Sequence, residues 1–348
     1  MAQNVLRQSL NVHPMSNIQD RHIFFDIIRG FGILYIIAVH HGNEYYGGIL
    51  NTQLDSIVTY NILGALFFIS GYLLASKYAI NKYIDISNFL KKRFMRIYPL
   101  YVLAIVTFYF VFDISIKTLF LNAAFVSIVT RDSLLTLWFV SIACSFYLMY
   151  PLIMYKYSFI KLLFLTTVLF IAGLTLYLLS NNKYLDIRFV LYLPIFSAGI
   201  FLSKHQLLIF KKNVFLLLSI TAFLSFSYSF IHYLDINHQA FKYLSQILMM
   251  LSFSHVLFFL HHRLSTYAVP KFVIILSYSS YAMYLLHRQL FEIAYNTVIF
   301  NSNFSKILLM IIFLVPFLIF FSYYFQKIYD NLVIYFLSHE SKPKSSLS

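Results

Sequence analysis

Residues 24–41, FFDIIRGFGILYIIAVHH, combine the length of a membrane-spanning helix with four ionisable side chains. The run is apolar enough to cross a bilayer, yet it contains Asp26, Arg29, His40 and His41. Each ionised group at the centre of a membrane-spanning helix costs about 2.5–3.5 kcal/mol on insertion scales. These side chains therefore need partners inside the protein or a polar cavity, which makes them candidates for a functional site.

Arg29 and His40 are predicted to lie on one face of this helix. Eleven residues of α-helix turn through roughly 1100°, close to three full turns, and rise by roughly 16 Å. That separation is too large for a direct bond, so it suits a long ligand or a polar channel with one group near each end. The alternative is structural: Asp26 and Arg29 form an ion pair three residues apart, and the histidines lie at the membrane interface.

The composition is that of an integral membrane protein. The 348 residues are 60% hydrophobic and 11% charged, whereas about 25% of residues in soluble domains are charged. The 39 Phe and 29 Tyr residues are typical of apolar spans with aromatic belts at the interfaces. We predict an all-α, polytopic membrane protein with about ten transmembrane helices, near residues 23–41, 57–77, 97–113, 134–155, 159–180, 188–203, 213–232, 243–261, 271–293 and 305–330.

The distribution of Lys and Arg sets the predicted orientation. We divide the chain into an N-terminal head (1–22), a transmembrane domain (23–338) and a short tail (339–348). With the head in the cytoplasm, most of the 26 Lys and Arg residues fall in inner segments, as the positive-inside rule requires. Both termini are therefore expected in the cytoplasm. Because this topology accounts for the net charge of +14, nucleic acid is not an expected partner.

The cysteine and histidine patterns exclude some site types. The single cysteine, Cys144, excludes an intramolecular disulfide, and a thiol in an apolar segment is usually unreactive. The later histidines have no carboxylate or cysteine at metal-ligand spacing, so no metal site is expected. No cleavable signal peptide is expected either, because the first apolar run is long and lacks a small-residue cleavage pattern.

Two short stretches near the first span supply further candidates. Glu44 follows His40 by four residues, so in a continuing helix its carboxylate would hold the imidazole in one tautomer. Ser70, in the second span, lies at the same predicted depth as Arg29, which permits contact. Gly71 beside it allows close helix packing, which is the structural alternative for both residues.

The most basic stretch of the chain is FLKKRFMRIYPLY, residues 89–101. It places four cations at the predicted inner mouth: Lys91, Lys92, Arg93 and Arg96. Such a patch can bind phosphate groups, for which the forked donors of arginine are well shaped. A stop-transfer cluster that touches anionic lipid has the same pattern, so both interpretations stay open.

Five stretches of the chain form a series of motifs. They are DIIRG followed by His40, which gives Arg, ten residues, His; FFISGYLL; RFMRIYPLY; W-x-x-S-x-x-x-x-F-Y-x-x-Y-P from Trp138 to Pro151; and SYAMYLLH from Ser280 to His287. In order and spacing across residues 26–287, this series resembles the membrane acyltransferase-3 family, the O-acyltransferases of bacterial surface glycans. The chain departs from the family at Ala143 and Cys144, where members often have acidic residues, and at Arg288, where an aromatic residue commonly stands.

The resemblance implies a membrane O-acyltransferase of the bacterial cytoplasmic (inner) membrane. It would move an acyl group, usually acetyl, from cytoplasmic acyl-CoA to a hydroxyl of a lipid-linked or cell-surface glycan. Acetyl-CoA is then a donor substrate, with no permanently bound cofactor, and the glycan and membrane lipid are the other partners. With the residue-based reasoning, the catalytic set is His40, Arg29 and Glu44, the donor-binding set is Arg93, Arg96, Lys92 and Ser70, and the acceptor-binding set is Trp138, Ser141 and His287.

Two other classes of function stay open at this stage. In a transporter or glycan flippase, Arg29 and His40 would line a path without chemistry, but the inverted repeats or paired broken helices of such proteins are not visible. A glycan polymerase would need a large outer loop. In the enzyme, His40 either takes the proton of the attacking hydroxyl or first accepts the acyl group itself.

Overall fold

The structure of the chain, a computed structural model, describes residues 23–46, 52–180, 183–205, 212–231, 239–264, 270–297 and 302–340. All regular structure in these residues is helical, which confirms the all-α prediction. The elements are α1 (Ile23–Tyr35), a π-helical turn (Ile36–His41), α2 (Asn43–Tyr46), α3 (Thr52–Lys77), α4 (Tyr83–Phe112), α5 (Ile116–Ala123), α6 (Ser127–Thr130), α7 (Trp138–Met154), α8 (Phe159–Leu179), α9 (Ile187–Lys204), α10 (Lys212–Ile231), α11 (Gln239–Leu264), α12 (Lys271–Thr297), α13 (Asn303–Leu309), a second π-helical turn (Met310–Leu314) and α14 (Val315–Glu340). The predicted head and most of the predicted tail lie outside the described residues.

Seven stretches of the described residues are long and apolar enough to cross a membrane. They comprise the stretch from Phe24 to Tyr45, which is α1 with its π-helical turn and most of α2, and then α3, α4, α8, α9, α11 and the continuous helix from Asn303 to Tyr335. α7 and α10 are apolar but shorter, and α12 has 27 residues but carries charged and hydroxyl side chains. These helices correspond one to one with the predicted spans, so the polytopic prediction is confirmed.

α3 packs at the centre of the bundle because two glycines let it press against α9. A Cβ atom added at Gly71 would lie 2.2 Å from the carbonyl oxygen of Phe196, and one added at Gly199 would lie 2.1 Å from that of Phe68. Both distances are far below van der Waals contact, so no larger residue fits without moving a backbone. The prediction that Gly71 permits close helix packing is confirmed.

The first span is not the uninterrupted α-helix that we assumed. α1 ends at Tyr35, and the chain continues as a π-helical turn through His41. A π-helical turn closes i→i+5 hydrogen bonds, so it inserts a residue and rotates everything that follows; such turns are frequent at functional sites. The shared face predicted for Arg29 and His40 therefore does not follow from α-helical periodicity alone.

The up-and-down course of the first helices separates the polar residues into two ends. The start of α1, the end of α3 and the start of α4 meet at one end, which we call the Arg29 end. The π-helical turn and the start of α3 meet at the other, the His40 end. The two groups of candidate residues thus lie at opposite ends of the same bundle.

A proline in α4 is compensated by a tyrosine from α14. Pro99 lacks an N–H group, so the carbonyl of Met95, four residues earlier, loses its helical donor. The hydroxyl of Tyr329 donates a hydrogen bond to that carbonyl oxygen. The proline of the RFMRIYPLY stretch therefore creates a docking point for the last helix.

Candidate active site

His40 is oriented by the carboxylate of Asp55, at the start of α3. Nδ1 of His40 lies 2.9 Å from Oδ2 of Asp55. The carboxylate also accepts hydrogen bonds from the Tyr35 hydroxyl at 2.9 Å and from the Asn43 side chain at 3.2 Å. Asp55 is buried, whereas the side chain of His40 is 31% exposed. Two further donors thus fix the carboxylate, and the carboxylate fixes the imidazole.

This contact determines which ring nitrogen of His40 is available. An ionised carboxylate only accepts hydrogen bonds, so Nδ1 carries the hydrogen and Nε2 of the neutral ring keeps a free lone pair. A histidine held in this way is oriented to act as a general base. We did not single out Asp55 from the sequence, although a carboxylate at the edge of an apolar span is costly unless it has partners.

Glu44 does not hold His40, so that part of the prediction is corrected. Its carboxylate pairs with the Arg288 guanidinium, with 2.8 Å between Oε1 and Nη2 and a second bond between Oε2 and Nη1. The π-helical turn ends at His41 and α2 begins at Asn43, so residue 44 is not one α-helical turn beyond residue 40. Glu44 instead neutralises a guanidinium whose side chain is only 5% exposed.

His41 faces α12, where it meets His287. Nδ1 of His41 lies 2.8 Å from Nε2 of His287, and the two rings stack with their centroids 4.9 Å apart. Nδ1 of His287 lies 2.8 Å from the backbone carbonyl oxygen of Tyr284. Both histidines are buried. The predicted acceptor residue His287 thus contacts the second histidine of the HH pair.

A cavity of about 140 Å³ lies beside His40 and His41. The other residues that line it come from the π-helical turn, α3, α7, α9 and α12: Ile36, Ser56, Thr59, Tyr60, Leu63, Trp138, Arg188 and Tyr284. The buried hydroxyl of Thr59 has no hydrogen-bond partner within the described part of the chain. Imidazoles, a hydroxyl, a guanidinium and aromatic faces are the groups typical of a ligand-binding site. The volume is large enough for one part of a ligand.

Trp138, predicted to contact the acceptor, lines this cavity together with Arg188. The guanidinium carbon of Arg188 lies 3.9 Å from the centre of the Trp138 ring. Nε of Arg188 lies 2.8 and 2.9 Å from the two carboxylate oxygens of Asp186. We did not predict Arg188, because nothing in the sequence indicates that the start of α9 meets the start of α7.

Ser141 lies outside the described lining of the cavity. It is fully buried, and its hydroxyl lies 2.8 Å from that of Tyr101, which donates to the carbonyl oxygen of Asn122 at 3.1 Å. These bonds tie α7 to α4 and α5, which is a structural role. Cys144, one turn further along α7, is a partly buried free thiol.

Four cations from three helices come together at the Arg29 end. Arg29, Lys77, Arg93 and Arg96 lie close enough to interact electrostatically. Asp26 offsets part of this charge: its Oδ1 lies 3.6 Å from Nη1 of Arg29 and accepts a hydrogen bond from Ser277. The ion pair considered as the structural alternative is therefore present, and Arg29 belongs to this cluster rather than to the group around His40.

Aromatic rings hold Arg93 within this cluster. Its guanidinium carbon lies 4.8 Å from the ring centre of Tyr78, 5.6 Å from that of Phe89 and 5.8 Å from that of Tyr147. Ring faces orient a guanidinium without occupying its N–H donors. Nε of Arg93 is buried and has no hydrogen-bond partner among the described residues. This Nε is therefore an unsatisfied donor, as a binding site for an anion requires.

The other donor-side candidates differ in how far they are exposed. Arg96 is exposed and Lys92 half-exposed on α4, and Ser70 is half-buried in α3 beside Gly71. Lys77, the last residue of α3, was not among our site predictions, although a lysine that ends an apolar span is a visible signal. No group of three or more His, Cys, Asp or Glu side chains in the described ranges is arranged to hold a metal ion.

The acyltransferase domain that defines the acyltransferase-3 family matches residues 22–327. The chain belongs to this family. It is therefore an acyltransferase, and its apolar helices make it a multi-pass membrane protein. Membership of this family favours the acyltransferase over the transporter and polymerase hypotheses.

A curated relative of this acyltransferase is "Protein 2 in picA locus" of Rhizobium radiobacter. It is 37% identical over 89 residues, which are 25% of this chain and 43% of that protein. The match thus spans less than half the length of that relative. No solved structure matches the chain.

The structure explains several motif residues of this acyltransferase that do not face a site. The hydroxyl of Tyr150 lies 2.9 and 2.7 Å from the carbonyl oxygens of Leu74 and Tyr78, so it ties α7 to the end of α3. Tyr281 donates to the carbonyl oxygen of Ile97 at 2.9 Å, and Tyr284 donates to that of Thr136 at 2.6 Å. The motifs therefore position the helices as well as supply the site.

Proposed function

We propose that this membrane acyltransferase moves an acyl group, most commonly acetyl, from acyl-CoA to a hydroxyl of a lipid-linked or cell-surface glycan. The observation that carries the proposal is the Asp55–His40 pair at a cavity, with a cluster of four cations at the opposite end of the same helices. One end has the groups for proton transfer, and the other has the groups for binding a phosphorylated donor.

The Arg29 end binds the phosphates of the donor in this proposal. Guanidinium groups bind phosphate oxygens through paired N–H donors, and Arg93 has a buried Nε without a partner in the described chain. Arg29 and Lys77 add charge from α1 and α3, so the phosphates bridge helices that would otherwise repel one another. Arg29 then guides the pantetheine arm toward His40, further along the same span.

Proton transfer at His40 is the chemical step. The acceptor hydroxyl donates to Nε2 of His40, and as its oxygen attacks the thioester carbonyl carbon, the imidazole takes the proton. The carbon–sulfur bond breaks, and the sulfur leaves with the proton returned by the imidazolium. The products are an O-acyl ester and free CoA. Asp55 stabilises the transient positive charge on the ring. Because its carboxylate holds Nδ1, Nε2 points away from the carboxylate.

A covalent variant uses the same residues. Nε2 of His40 attacks the thioester first, and the acyl-imidazole then passes its acyl group to the glycan hydroxyl. Rapid quenching with labelled acetyl-CoA and no acceptor distinguishes the two routes. Label on the protein that is absent from His40→Ala supports the relay, and no label on the active protein supports direct attack.

The proposed location is the bacterial inner membrane, with the Arg29 end and both termini in the cytoplasm. Acyl-CoA is a cytoplasmic metabolite, so its binding cations belong on that side. Most Lys and Arg residues of the chain then lie on the same side, in agreement with the positive-inside rule. The His40 end faces outward, where a surface glycan is available.

Acetate incorporation into surface glycan tests the proposed function. The unaltered gene, His40→Ala and His205→Ala are expressed at equal membrane abundance, and glycan-bound acetate is measured by mass spectrometry. His205 is the matched control because it directly follows α9 and packs against Phe201 and Phe159, away from the cavity lining. We expect His40→Ala to lose about 10²–10⁴-fold of the transfer rate. Full acetylation by His40→Ala would contradict the proposal.

A further inference from the structure

We propose that the acceptor presents two hydroxyls on adjacent carbons, and that His41 binds the hydroxyl that is not acylated. This inference rests on the proposed function, because it assigns the substrate class of the same cavity. Its basis is the hydrogen-bond chain that runs from His41 through His287 into the backbone of α12.

This hydrogen-bond chain fixes the positions of the hydrogens on the rings of His41 and His287. A carbonyl oxygen only accepts, so Nδ1 of His287 donates its hydrogen to Tyr284, and Nε2 of the neutral ring must accept. The hydrogen between the rings then belongs to Nδ1 of His41. Both rings are buried next to the cation of Arg288, which disfavours a charged imidazolium at either position. Nε2 of His41 is left as an acceptor.

Two imidazoles that each keep an Nε2 lone pair therefore line the cavity. Asp55 leaves Nε2 of His40 with a lone pair, His287 leaves Nε2 of His41 with one, and the two ring centres are 4.9 Å apart. A single alcohol supplies one hydrogen and would leave the second acceptor without a donor. Two hydroxyls on neighbouring ring carbons supply two hydrogens at a short, fixed spacing.

The rest of the cavity suits the polyol part of a sugar ring. Thr59 contributes a buried hydroxyl without a partner in the described residues, and Trp138 contributes an aromatic face. A volume of about 140 Å³ admits one hydroxyl-bearing edge of such a ring. His40 then deprotonates one hydroxyl while His41 orients its neighbour, which makes His41 a residue that determines acceptor specificity.

Transfer to small cyclic alcohols tests this inference. The purified full-length protein in lipid nanodiscs receives labelled acetyl-CoA and either cis- or trans-cyclohexane-1,2-diol, with cyclohexane-1,3-diol and cyclohexanol as matched controls. We expect initial rates with the better 1,2-diol to exceed those with cyclohexanol by about tenfold or more, because a buried polar group left unpaired weakens binding of the analogue.

Two substitutions assign the preference to His41. His41→Phe keeps an aromatic ring but removes the acceptor, so it should lower the 1,2-diol rate to that of cyclohexanol. His41→Asn keeps a donor for His287 and an acceptor for the ligand, so it should retain part of the preference, and it remains informative if His41→Phe does not fold.

Equal rates with the 1,2-diol and cyclohexanol, in protein that acetylates the extracted surface glycan, would overturn the diol inference and leave the proposed function standing. A preference that survives in folded His41→Phe would also overturn it. No acetylation of the glycan or of any alcohol by the unaltered protein would overturn the proposed function and this inference together.

Discussion

Asp55 holds His40 from a neighbouring helix, with 2.9 Å between Oδ2 of the carboxylate and Nδ1 of the ring. Tyr35 and Asn43 donate hydrogen bonds to the same carboxylate. These bonds fix the positions of its oxygens, so the imidazole of His40 has one favoured orientation. The π-helical turn that ends at His41 makes this contact possible on one side of the span and the contact with His287 on the other.

Glu44→Gln should change stability more than catalysis. The carboxylate neutralises the buried guanidinium of Arg288 and does not hold His40, so we expect transfer rates within about threefold of the unaltered protein. The loss in unfolding free energy should be about 1 kcal/mol, since the carboxylate is more than half exposed and its charge is screened. Thermal unfolding in detergent, monitored by size exclusion, measures it. A hundredfold loss of transfer would show that the carboxylate acts on the chemistry.

Arg93→Lys should weaken donor binding. The guanidinium lies against the faces of Tyr78, Phe89 and Tyr147, and a lysine keeps the charge but loses the planar fork and the stacking. We expect KM for acyl-CoA to rise about tenfold while kcat changes little, which is the pattern for lost ground-state binding.

Lys91→Ala is the matched control for Arg93→Lys, because Lys91 belongs to the same basic stretch but is exposed on α4. Its KM should stay within about twofold of the unaltered protein, since screened surface charges contribute little. Equal increases in KM for both variants would indicate a diffuse electrostatic effect and contradict a specific phosphate site at Arg93.

Gly71→Ala should destabilise the bundle by about 1–3 kcal/mol. The added methyl group would meet the backbone carbonyl of Phe196 at 2.2 Å, which cannot move without separating α3 from α9. Gly173→Ala is the control, because its Cβ would meet side-chain atoms of Val190 and Leu185 at 3.0 and 3.3 Å, and these can adjust. A lower melting temperature for Gly71→Ala alone is the expected result. Equal melting temperatures would contradict the packing argument.

Much of the fold follows from the sequence because its signals are local. Apolar runs of sufficient length give the spans, the SGY stretch gives a close helix crossing, and the basic stretch before Pro99 gives a charged first half of α4. His40 and His41 can also be singled out from the sequence, because ionisable side chains in an apolar span are costly unless they have partners or a function.

The partners of these residues were not predictable, because they depend on which helices become neighbours. His41 and His287 are 246 residues apart in the sequence, and Glu44 and Arg288 are 244 apart. Asp55 is nearer to His40, but α-helical spacing pointed to Glu44 and gave no indication of a π-helical turn. The sequence therefore identified the catalytic candidate and assigned it the wrong carboxylate.

The transfer rate of Asp55→Asn is the most direct test of the Asp55–His40 pair. An asparagine of nearly the same shape can present its amide nitrogen to Nδ1 of His40, which favours the wrong tautomer and removes the negative charge. With labelled acetyl-CoA and extracted glycan, and with Glu44→Gln as the matched carboxylate-to-amide control, we expect Asp55→Asn to lose about 10²–10⁴-fold in rate at unchanged protein abundance. A rate for Asp55→Asn within about threefold of the unaltered protein would contradict the account.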